Sequence, residues 1–72
     1  MSTPHPQFAK NLRDHRERAG LTQEALAGES GLHPSEIGKL EREERTPRLD
    51  TIVALSRALG LTSVCELLRG VG

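Results

Sequence analysis

The sequence predicts an all-α fold, a single compact domain of five short helices. Three observations predict it. Apolar residues recur at three- and four-residue spacings and nowhere alternate with period two for long enough to make a strand. Glycines, prolines and capping residues interrupt that pattern at short intervals. The chain has 72 residues, 35% hydrophobic and 1% aromatic, so it can build one modest core from Leu, Ile, Val and Ala. A second subunit would add stability to so small a core.

Residues 1–6, with Pro4 and Pro6 and no apolar stretch, are expected to form a flexible arm; residues 7–70 form the domain. The first helix is predicted from Gln7 to Ala19, with Phe8, Leu12 and Ala19 near the helical period and Gly20 ending it. Thr22 offers an N-cap for a second helix from Gln23 to Glu29, closed by Ser30 and Gly31. His33-Pro34-Ser35-Glu36 opens the third, because proline suits a first turn whose N–H groups lack intrahelical partners. Ile37 and Leu40 turn inward, and the helix runs to Arg42. A charged loop, 43–48, leads to a fourth helix from Leu49 to Leu59, with Leu49, Ile52, Leu55 and Leu59 on one face and Gly60 as its stop. Ser63 and Glu66 match a capping box for a fifth helix that turns Val64, Leu67 and Leu68 inward.

Composition excludes several classes. Apolar runs are too short for a transmembrane helix or a secretory signal. A lone cysteine, Cys65, excludes an internal disulfide and a multi-thiolate zinc site, which fits a reducing cytoplasm. Cys65 is expected to be a semi-buried packing or interface residue. His5, His15 and His33 share no metal-ligand spacing and are expected on the surface or at caps. No catalytic triad or dyad and no glycine-rich phosphate loop is present, so no enzyme, cofactor or metal is expected. Ten basic side chains balance ten acidic ones, so nucleic-acid binding by bulk charge is not expected, though local positive faces are.

The informative stretch is Gln23 to Arg42. Two helices crossing steeply through a short turn need a small residue where backbones approach, which Ala27 supplies. They need a residue tolerant of positive φ in the turn, which Gly31 supplies. Leu26, Leu32, Ile37 and Leu40 then pin both helices to the core and leave the outer face of the second free for a major groove.

Thr22-Gln23-Glu24-Ala25-Leu26-Ala27, Ser30-Gly31-Leu32, Ile37, Leu40-Glu41-Arg42 and Arg45-Thr46-Pro47 resemble the lambda-repressor-like (Cro-type, XRE) helix-turn-helix family. The resemblance covers Phe8 to Leu68, and its agreeing constraints make it fairly specific. It implies a sequence-specific DNA-binding transcriptional regulator, a repressor or controller, with a recognition helix at about 34–42 in the major groove of a palindromic operator. The base-reading positions it implies are His33, Pro34, Ser35 and Lys39. Lys39 is suited to guanine O6 and N7, whereas Ser35, able to donate or accept, is expected to discriminate poorly. Gly38 shares that exposed face, where its missing side chain would admit a close backbone approach to phosphate. Gln23, at a helix N-terminus, is the further phosphate contact implied, with Arg42, Arg45 and Arg48 as candidates around the loop. These three arginines can equally be a solvated charged loop. Arg16 and Glu41 match a pair that, in relatives, ties the first helix to the recognition helix.

Two features depart from the family pattern. Glu43 and Glu44 stand where a glycine usually follows the Glu-Arg pair, and a left-handed Glu43 costs about 1–2 kcal/mol. Pro34 brings no hydrogen-bonding group to a reading position. Specificity is therefore expected to rest on few direct contacts plus DNA shape. Val53, Val64 and Val71 exceed what the last two helices can bury, which motivates a homodimer with recognition helices about 34 Å apart. Double-stranded DNA is the expected partner, with no small-molecule ligand within this chain. Its length suits a compact repressor, a phage-type regulator, a restriction–modification controller or a domain cut from something longer. Zero net charge and the acidic residues around Glu43 favour an alternative, a protein-interaction or antitoxin-like module on the same fold.

Overall fold

The computed structural model describes residues 5–71. It contains α1 (His5–Arg18), α2 (Gln23–Ser30), α3 (Pro34–Glu41), α4 (Leu49–Ala58) and a 3-10 turn at Val64–Glu66. There is no strand among the described residues. No described helix is long and apolar enough to cross a membrane. The helices pack around Phe8, Leu12, Leu26, Ala27, Ile37, Leu40, Ile52, Leu55 and Leu67, all buried. α2 packs on both α3 and α4, and α1 on α3.

The helix ends explain this segmentation. Leu21 N–H donates to Arg16 O (3.1 Å), Leu32 N–H to Ala27 O (3.0 Å) and Leu61 N–H to Ser56 O (2.9 Å). Each bond spans five residues backwards, over a glycine in the left-handed region (Gly20, Gly31, Gly60), and each leucine packs on the core. One Gly-Leu dipeptide thus stops a helix, satisfies its last carbonyls and anchors the outgoing chain. α3 ends in the same geometry with different residues: Glu43 takes φ 64° and Glu44 N–H donates to Lys39 O at 2.8 Å.

Five expectations are corrected. α1 already begins at His5, so it takes in part of the expected arm; Pro6 is tolerated in a first turn whose N–H groups have no intrahelical partner. The remainder of that arm lies outside the described residues. The fifth helix is only a 3-10 turn, with Glu66, Leu67 and Leu68 N–H donating three residues back. Its cap explains part of this: Ser63 Oγ accepts from Cys65 N–H (3.0 Å), while the Glu66 carboxylate turns to Thr62, accepting from its N–H (2.9 Å) and hydroxyl (2.8 Å). The Asn11 amide from α1 supplies the rest, donating to Leu67 O and Arg69 O, both at 2.8 Å. Asn11 thereby ties the segment after the turn to α1.

Leu49 does not face the core. It is 73% exposed, because the buried side of α4 is set by Thr51, Ile52, Leu55 and Ser56. Val64 and Val71 pack against the core, so the unburied apolar surface narrows to Leu49 and the half-buried Val53. Cys65 is exposed rather than semi-buried.

Candidate nucleic-acid interface

α2 and α3 form a rigid elbow. Thr22 Oγ1 caps α2 by accepting from Ala25 N–H (3.0 Å), and Gly31, at φ 77°, turns the chain. Ala27, 1% exposed, lies where the two helices meet, and Ile37 and Leu40 hold the inner side of α3. At the start of α3, His33 is the cap: its Nδ1 accepts from Ser35 N–H at 3.1 Å and lies 2.8 Å from Ser35 Oγ. His33 and Ser35 are exposed, Pro34 is half-buried, and Lys39 is half-buried one turn beyond Ser35.

The far end of α3 is tied down by Glu41, whose side chain is 3% exposed. Arg16 grips it with two hydrogen bonds, Nε to Oε2 at 2.7 Å and Nη2 to Oε1 at 3.1 Å. The third arm, Nη1, donates to Leu21 O at 2.9 Å. The Glu41 hydrogen bond raises the Arg16 pKa above its ordinary value. The Gln23 amide also donates to Glu41 Oε1 (3.1 Å), and Arg13 reaches the Glu41 backbone carbonyl (3.3 Å). α1 and α2 thus converge on one buried carboxylate of α3.

The phosphate candidates are not equally placed. Gln23 is half-buried and its amide is directed inward to Glu41. Gly38, expected on the exposed face, is buried. A Cβ there would stand 2.9 Å from Arg42 Nη1 and 3.6 Å from Gln23 Oε1, so these two side chains cover the notch that the glycine leaves. Arg42 is held in that position by Glu44, with Nε 2.9 Å from Oε2. That hydrogen bond lowers the Glu44 pKa and raises that of Arg42. Arg48 lies 3.9 Å from Asp50, with both side chains solvated. Arg45 is exposed and makes no ion pair among the described residues.

Sequence reasoning missed the roles of Arg13 and Asn11. Their targets are backbone carbonyls 28 and 56 residues away, and no local spacing encodes such bonds.

Two short helices joined through a left-handed Gly31, with His33 and Ser35 exposed at the start of the second, define a helix-turn-helix domain, and the fold is that of the lambda-repressor-like group. The helix-turn-helix family model (HTH_3) matches residues 12–67, and the chain belongs to this family. Control protein C.SmaI of Serratia marcescens is 47% identical over 65 residues, spanning 90% of this chain and 76% of that protein. The restriction-modification controller protein C.AhdI from Aeromonas hydrophila aligns with a TM-score of 0.83 and 40% identity, over 86% of this chain and 92% of that one. The DNA-binding domain of the P22 c2 repressor aligns with a TM-score of 0.81 and 32% identity, over 88% and 82% of the two chains.

Proposed function

We propose that this chain is a sequence-specific DNA-binding transcriptional regulator of the restriction–modification controller type, acting in the cytoplasm as a homodimer on a palindromic operator. The observation that carries the reading is the anchoring of α3 at both ends. His33 caps its start and Glu41 locks its end, while His33, Ser35 and Lys39 stay accessible. A helix held this way presents base-reading groups without an ordering cost at each encounter.

In this reading Ser35 and Lys39 meet base edges, with His33 and Pro34 at the entry to the groove. Arg42, Arg45 and Arg48 neutralise phosphates, whereas Gln23, turned inward to Glu41, and the covered Gly38 brace α3 from behind. Leu49 and Val53, one turn apart on α4, supply the apolar surface that a second subunit would cover.

The test is selection from a random duplex pool, followed by titration of the enriched site against salt. Three arginines per subunit, six per dimer, give a slope of log K against log salt of about −5. A symmetric consensus with half-sites one turn apart supports the reading. Absence of binding at both low and moderate salt replaces it with the protein-interaction module.

A further inference from the structure

Arg42 differs from Arg45 and Arg48 in what its guanidinium already holds. An arginine offers an oxyanion two edges, Nε with Nη2 or Nη1 with Nη2. The first is taken: Nε donates to Glu44 Oε2 at 2.9 Å and Nη2 to Oε1 at 3.4 Å. The second is obstructed, because Nη1 lies over Gly38, 2.9 Å from where a Cβ would stand, and Gln23 Oε1 flanks the same notch. The glycine seats the guanidinium and Glu44 closes over it. Backbone geometry makes this closure local. Glu43 takes φ 64°, which turns the chain back so that Glu44 N–H donates to Lys39 O at 2.8 Å. The pair thus forms beside Lys39, one of the proposed reading residues. By contrast, Arg45 is exposed with no ion pair among the described residues, and Arg48 stands 3.9 Å from Asp50, too far for a hydrogen bond.

We infer that Glu44 is a specificity-determining residue that acts through Arg42: it keeps the guanidinium on random duplex and yields it to a backbone phosphate where α3 is seated on its operator. The physics is a competition between two oxyanions. On random duplex the chain is held by screened charge across a layer of water. A phosphate at that distance offers Arg42 less than a carboxylate already in contact. The exposed Glu43 and Glu44 also repel the DNA backbone. With α3 in the groove, phosphates come within contact distance and both N–H groups can transfer together. Both members of the pair are more than half solvated, so the exchange costs little once a phosphate is there. Arg45 and Arg48 then count on any duplex, and Arg42 counts only on the matching one.

This inference rests on the DNA-binding reading, and the test separates the two. Wild type, Glu44→Ala, Arg42→Ala and the double variant are titrated over a range of salt on the selected operator and on a random duplex of equal length. For wild type, the slope of log K against log salt should be shallower on random duplex than on operator by about 1 per subunit, the share of one arginine. Glu44→Ala should close that gap by steepening the random-duplex slope, and its preference for operator should fall. Arg42→Ala should close it from the other side, by flattening the operator slope. Once Arg42 is gone, removing Glu44 should leave both slopes unchanged. Both side chains are more than half solvated, so melting curves should stay close to that of wild type and exclude a folding artefact. Equal wild-type slopes on the two duplexes overturn the inference. So does a Glu44→Ala effect of the same size with and without Arg42, which would assign it to bulk charge. If selection enriches no operator at all, the DNA-binding reading falls and takes the inference with it.

Discussion

Replacing Glu41 with alanine should remove a large share of the stability of this domain, although Glu41 adds no apolar contact to the core. The side chain is 3% exposed and accepts from Arg16 twice, at 2.7 and 3.1 Å, and from Gln23 at 3.1 Å. Arg16 is itself only 14% exposed, so its guanidinium cannot fully rehydrate when the partner goes. Breaking a buried pair by deleting one member costs about 3–5 kcal/mol. A chain of 72 residues has about 4–11 kcal/mol in total. Taking the lower end, because Arg16 keeps its bond to Leu21 O, the melting temperature should fall by about 12–24 °C. Circular dichroism melts of Glu41→Ala against wild type measure this directly. Arg42→Ala is the control, since its partner Glu44 is half solvated and an exposed pair contributes little. A double replacement, Arg16→Met with Glu41→Leu, should recover most of the loss, because it removes both charges together. If Glu41→Ala melts within about 4 °C of wild type, or no lower than Arg42→Ala, the buried network is not what fixes α3 and the reasoning is wrong.

Three further outcomes are expected. Glu43→Gly should raise the melting temperature, because a left-handed non-glycine residue at φ 64° costs about 1–2 kcal/mol, partly offset by the freer unfolded chain; a lower melt would count against strain at this position. Ser56 is buried and its hydroxyl has no hydrogen-bond partner among the described residues, so Ser56→Ala should stabilise by up to about 1–3 kcal/mol in urea unfolding. Thr62 hydrogen bonds hold Glu66 below its ordinary value of 4.5, and the Lys10 hydrogen bond holds Asp14 below 3.8. A depressed folded-state pKa contributes stability that is complete above the ordinary value and lost as pH falls through the folded one, so melting should be flat from pH 7 to about 5 and decline below. Glu66→Gln should make that decline shallower, and an unchanged acid limb would exclude Glu66 from it.

Much of the fold was legible because its punctuation is local. Thr22 and Gly31 bound α2 to within a residue, since a cap and a left-handed turn act on their own neighbours. The fifth helix was misread because the carbonyls that follow its first turn are bonded by Asn11 of α1, a partner 56 residues away from Leu67 that no local pattern encodes. Leu49 was misassigned because a spacing of three is compatible with two neighbouring faces, and tertiary packing chose the one through Ile52 and Ser56. The candidate site divides similarly. Its residue types were visible in the chain, but the inward commitment of Gln23, the covering of Gly38 and the contact of Ser35 with His33 all depend on a second side chain.

The two ion pairs at the end of α3 have different physical consequences, and their burial decides which. Glu41 is enclosed, so its attraction to Arg16 is weakly screened and separation would strand a charge; that pair sets where the helix lies. Glu44 and Arg42 are both more than half solvated, so water screens their pair and it can open at little cost. A phosphate oxygen is at least as good an acceptor for a guanidinium as a carboxylate is, and it too can be gripped by two N–H groups. In the proposed reading a phosphate can therefore replace Glu44 on Arg42 at little cost, which would leave Glu43 and Glu44 as uncompensated negative charge beside the duplex. The position is thus permissive for contact and unfavourable for indiscriminate adhesion. In a protein with zero net charge, that reading expects affinity for a matching operator to depend on the contacts of α3 as well as on the arginines.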